Sequence, residues 1–148
     1  MSTKLQRFVA AGIAGSAALG AAVLLSTGAS ASTTPGEEAK LRAIAARAAH
    51  TSGDDSPYGL RWVKTNRGDG ERVTAGALLG QDTAREVYVL QQRGHFTALY
   101  SRGPAGSAAP TGTVMTLTVD AVTGEVSDFG LTGEEQDLSS LGSVHNDG

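Results

Sequence analysis

Imidazole chemistry in this chain is limited to His50, His95 and His145. Nucleophilic catalysis needs a hydroxyl or thiol, a base within reach, and a group that orients the base. There is no cysteine, and no Gly-x-Ser-x-Gly elbow that would lift a serine above a strand. His145 falls near the end of the chain. His50 closes a helical stretch, where the helix dipole favours a cation in any case. His95 follows Gly94 at an expected strand bulge. The catalytic reading is therefore a small hydrolase or lyase using His95 with an Asp or Glu partner. The plainer reading is a half-exposed sheet histidine.

Metal and phosphate chemistry find less to work with. His50, Asp54 and Asp55 converge over one turn, but a zinc site wants a cysteine or a second nearby histidine. Asp54-Asp55 lacks the spaced oxygens of a calcium loop. Neither a Gly-x-x-x-x-Gly-Lys loop nor a Gly-x-Gly-x-x-Gly turn occurs, so nothing cradles a phosphate. We expect no metal and no cofactor. Arg67-Gly68-Asp69 matches an adhesion tripeptide, yet Asp69-Gly70 explains it as a turn. Tyr88 and Tyr100 join His95 as binding candidates if they share an open sheet face. Otherwise they pack in the core with Trp62, Phe96 and Phe129.

The elements that must position these residues follow from periodicity. Leu41, Ile44, Ala45, Ala48 and Ala49 recur at three- and four-residue spacing, which predicts a helix over 37–49. Glu37 and Glu38 at its start and Arg47 and His50 at its end suit the dipole. Residues 59–65, with Leu60, Trp62 and Val63, read as a strand. Residues 66–70 are turn chemistry, and 71–79 return as a second, weaker strand. Residues 85–93 are apolar on both faces through Val87–Leu90, the pattern of a central strand covered on both sides. Residues 95–100 extend it past Gly94. A loop of small residues spans 103–112. Residues 113–120 alternate, with Met115, Leu117 and Val119 on one face. A turn at 121–124 leads to a return strand over 125–130, whose apolar members are Val126 and Phe129. From 133 onward the chain is polar and acidic, with Leu138, Leu141 and Val144 as its larger apolar residues. It reads as a flexible acidic tail. The sum is an α+β domain: one N-terminal helix packed on a three- to four-stranded antiparallel sheet.

The N-terminus reads as a secretory signal peptide over 1–31. Lys4 and Arg7 precede an uncharged run from Phe8 to Leu25. Ala29 and Ala31 supply the small residues that signal peptidase accepts, so we place the cut after Ala31. An uncleaved anchor is the competing reading, since the apolar run is just long enough to span. A linker over 32–36, a single domain over 37–132 and the tail over 133–148 complete the organisation. Removing Lys4 and Arg7 takes the net charge from −3 to −5. An acidic domain argues against nucleic acid, where basic residues supply the affinity. It argues equally against an anionic membrane surface once the leader is gone. The expected location is outside the cell or in its envelope, and without cysteine the fold there must rely on its core.

The sharpest local motif is Val119-Asp120-Ala121-Val122-Thr123-Gly124-Glu125-Val126. Asp120 can accept from turn amides ahead of it, Thr123 sits inside the turn, and Gly124 can take a positive φ. This stretch resembles the terminal hairpin of PepSY-type domains, and a helix ahead of antiparallel strands is similar to their half-cystatin-like arrangement. The mature chain also resembles small exported actinobacterial proteins of unassigned function, through residues 87–98 and 120–131. The PepSY resemblance implies a non-catalytic exported module, which in some members restrains a peptidase. It implies no catalytic residues. The expected function is accordingly a secreted binding or inhibitory module acting on an extracellular protein or peptide.

Overall fold

The computed structural model describes residues 33–74, 82–99 and 104–147. The expected leader over 1–31, positions 75–79 of the expected second strand, Tyr100 and Gly103 lie outside them. Five antiparallel strands form one sheet: β1 (Tyr58–Asn66), β2 (Glu86–Thr97), β3 (Thr111–Asp120), β4 (Val126–Thr132) and β5 (His145–Asn146). Their order is β4-β3-β2-β1-β5. The class is α+β, but it holds two α-helices, α1 (Pro35–Thr51) and α2 (Arg67–Thr74), and five strands. This corrects the expected single helix on three to four strands.

Helix α1 begins earlier than periodicity suggested. Thr34 caps it, accepting from Glu37 N–H while the Glu37 carboxylate accepts from Thr34 N–H. That reciprocal pair satisfies two otherwise orphaned donors, and it takes Pro35 and Gly36 out of the expected linker and into the helix. Leu41, Ala45 and Ala49 face the sheet and bury against Leu60, Trp62, Tyr88, Leu90, Phe96, Met115, Leu117 and Val119. These strand residues lie under the helix because the alternation in β1, β2 and β3 puts them on one face.

The opposite face is covered by α2 and the C-terminal segment. Residues 67–70 of the expected turn and 71–74 of the strand expected over 71–79 form α2 instead. Asn66 Oδ1 accepts from Asp69 N–H at 2.9 Å and so caps the helix. Gly68 and Gly70 look like turn residues, but both are buried. A Cβ at Gly70 would come within 3.2 Å of Val89, so the absent side chain lets the helix lie directly on β2.

The acidic tail also proves to be part of the domain. Leu138 is 1 % exposed and packs with Val63 and Val89 on this second face, joined by Val73, Leu141 and Val144. Two of its carboxylates, Glu135 and Asp147, are docked on arginines of the domain. The Glu135 carboxylate accepts from Arg93 Nε and Nη2 at 2.9 and 2.7 Å, the Gln136 carbonyl accepts from Arg61 at 2.7 Å, and Asp147 pairs with Arg42 at 2.8 Å. His145 pairs opposite Trp62 in the β1–β5 ladder, with the two rings stacked at 5.6 Å. β5 thereby covers Arg61 and Trp62 on the outer edge of β1. β2, the strand apolar on both faces, is the central one.

Candidate functional site

One helix cannot cover this sheet. A helix with its side chains is about 10–12 Å across, while neighbouring strands lie about 4.8 Å apart. Helix α1 seats on β2 and its neighbours and, among the described residues, leaves β4 bare on that face. The alternation of β4 places Phe129 beside Leu117 and Leu131 beside Met115, so its apolar side chains point towards the uncovered strip. Phe129 stays 46 % and Val126 45 % exposed.

The result is a groove of about 900 Å³ between α1 and the β3–β4 hairpin. Ile44, Arg47, Ala48 and Thr51 form the helix wall, which is the flank next to the buried Leu41-Ala45-Ala49 stripe. Leu117 is its floor, and Val126 and Phe129 are the far wall. Ala98 and Leu99 close one end, and Gly124 and Glu125 the other. The small alanines of α1 bring the helix close to the sheet but add little apolar surface of their own. A ligand in this groove would meet mostly hydrocarbon with one cation, Arg47, on the wall.

The turn motif builds the groove's other end. The Asp120 carboxylate accepts from Val122 N–H at 3.0 Å and Thr123 N–H at 2.7 Å and pairs with Arg85. Gly124 has φ +74°, the left-handed region that glycine enters without strain. Val122 is left at the hairpin tip, 82 % exposed. The Thr123 amide first, and then the Arg85 guanidinium, hold the Asp120 carboxyl at about 2, below its ordinary 3.8. A carboxyl depressed on folding stabilises the protein above its unfolded value and loses that contribution as pH falls towards the folded one. Thermal melts should therefore drop between pH 3.8 and about 2, and Asp120→Asn should flatten that drop. Parallel acid limbs for the two proteins would contradict the assignment.

The residues singled out for chemistry are not brought together. His95 is exposed on β2, at the register shift between Arg93 and Phe96. Asp54 lies beside it, but Asp54 Oδ2 accepts from the His95 backbone N–H at 2.6 Å. That bond, and a second from Ser56 N–H at 2.8 Å, lower the Asp54 carboxyl. The Asp54 carboxylate is thus a clamp on the bulge. His50 meets Asp55 in an exposed pair with Asp54 turned away. Among the described residues, no group of three His, Cys, Asp or Glu is disposed to hold a metal ion. Tyr88 is buried in the core, not on an open face, and donates to Glu37 at 3.0 Å. Burial and then that carboxylate push its hydroxyl up to about 12. Arg67 and Asp69 of the adhesion-like tripeptide belong to α2, where Arg67 bridges Glu71 and Asp128.

A second cleft, on the α2 face, is small and polar. It spans about 140 Å³ among Glu71, Thr74, Thr116, Thr118, Asp128 and Gln136. The buried Thr116 hydroxyl has no protein hydrogen-bond partner. Its size and lining suit ordered water.

Sequence reasoning placed Val126 and Phe129 on a strand but missed the groove. The available signal was a last strand with large apolar residues beside a helix rich in alanine. Among the described residues, no helix is long and apolar enough to cross a membrane. No protein-family model matches the chain, and no curated protein or solved structure does.

Proposed function

We propose that this is an exported, non-catalytic module that binds, and thereby restrains or retains, a protein or peptide partner through the α1–β4 groove. The observation that carries the reading is the half-exposed pair Val126 and Phe129 beside Leu99, all lining one apolar groove. Contiguous apolar surface of this kind is unfavourable in water unless a partner covers it. The PepSY-like hairpin supports the same reading, because it forms one end of the groove. The leader supports export.

The test is capture of partners from culture medium on the immobilised protein, wild type against Phe129→Asp. A partner retained by the wild type should be lost, with affinity down by about a hundredfold, the scale of a central aromatic contact. A partner held equally by both proteins contradicts the assignment of this groove. Circular dichroism of the variant keeps a folding defect separate from a binding defect. Replacing exposed Val126 by Asp provides a second variant on the same wall.

A further inference from the structure

The groove has a feature beyond its apolar lining: one wall is an open sheet edge. β4 ends the strand order and has a neighbour on one side only among the described residues. At the other end of the order the strand is β5, only two residues long, paired with Arg61 and Trp62 of β1. Proteins usually blunt an open edge with lysine, proline or an inward-facing charge. Val126–Thr132 contains no lysine, arginine or proline, and its single charge, Asp128, is already matched by Arg67 at 3.3 Å. The bulge between Thr118 and Val119 lies at the turn end and leaves the rest of the strand regular.

Charge supplies the second observation. Arg42, Arg61, Lys64, Arg67, Arg72, Arg85 and Arg93 each meet a carboxylate. Among the described residues, Lys40 and Arg47 form no ion pair, and both rise from α1 along the groove. They are seven residues apart, two turns of helix, so they share one flank with Ile44 between them. The Lys40 ammonium lies over Gly124, next in the chain to Glu125, so that end of the groove holds both signs. The unmatched positive charge is at the Arg47 end.

We propose that the partner enters as an extended segment that adds a sixth strand to the β4 edge. Its alternate side chains are apolar and fill the groove against Phe129 and Val126, and an Asp or Glu among them meets Arg47. This rests on the groove being the binding site and adds the conformation and charge of what binds. Main-chain hydrogen bonds to β4 give affinity in this mode, and the groove selects every second side chain.

The probe is a library of random peptides displayed on phage and selected on the purified protein. Three results are expected. The enriched peptides alternate apolar and polar residues and carry a carboxylate. Selection on Arg47→Glu replaces that carboxylate by Lys or Arg. In the tightest synthetic peptide, N-methylation of the alternate amides facing β4 weakens binding by about tenfold or more, while methylation of the others has little effect. Equal effects of both methylation patterns, or apolar residues enriched at three- and four-residue spacing, overturn the added strand but leave the groove as the site. Enrichment no greater than on Phe129→Asp overturns the proposed function itself. A wild type that sediments as a dimer dissociated by Phe129→Asp, and selects no peptide, makes a second copy the occupant and overturns the proposal.

Discussion

Leu138→Asp is expected to leave the protein largely unfolded at room temperature. Leu138 is among the largest fully buried side chains, closing a small cluster with Val63 and Val89. Truncating a buried leucine costs about 2–5 kcal/mol, and placing a carboxylate there adds its desolvation. A domain of this size has about 5–15 kcal/mol in all, so the combined loss consumes most of it. Leu138→Met keeps the volume and should cost less than about 1.5 kcal/mol. Urea unfolding followed by tryptophan emission reports this directly, because Trp62 is buried beside β5. An aspartate variant with the wild-type midpoint would mean that the C-terminal segment is not docked.

Gly94→Val should be strongly destabilising on the helix-side face. A Cβ at Gly94 would run into Asp54 Oδ2 and lie 2.6 Å from Phe96 Cζ. Neither neighbour gives way cheaply. The Phe96 ring is 1 % exposed, and Asp54 is fixed by its bonds from His95 and Ser56. Overpacking of this kind costs about 1–3 kcal/mol, and releasing the Asp54 clamp adds about 1 kcal/mol per hydrogen bond. His95→Ala, one residue along, removes an exposed ring and leaves the backbone N–H that Asp54 needs. Surface changes of that sort stay within about 0.5 kcal/mol. Denaturant midpoints should therefore separate the two substitutions clearly. Equal midpoints would contradict the clamp.

The contrast between Gly94 and Gly70 explains what could be read from the sequence. α1, β2 and β3 were legible because their apolar residues follow one period each, and packing agrees with that period. β2 was legible even as the central strand, since it is apolar on both faces and layers cover both. α2 was not. Gly68 and Gly70 carry the composition of a turn, and only the sheet beneath them makes their missing side chains an asset to a helix. The C-terminal segment failed for a related reason. Its Glu135 looks solvated until Arg61 and Arg93, distant in sequence, are found beside it. The three apolar residues noted there, Leu138, Leu141 and Val144, are the ones that pack. The groove was hidden because it is a gap, the width of sheet that one helix leaves over, and no single residue encodes it.

Amide hydrogen exchange of the protein, alone and saturated with its selected peptide, tests the groove as the binding site most directly. Slowed exchange is expected along Val126–Thr132, with the amides of α2 and of the segment around Leu138 unchanged. Protection confined to α2 and the C-terminal segment, with β4 exchanging as before, would place the partner on the opposite face and contradict it.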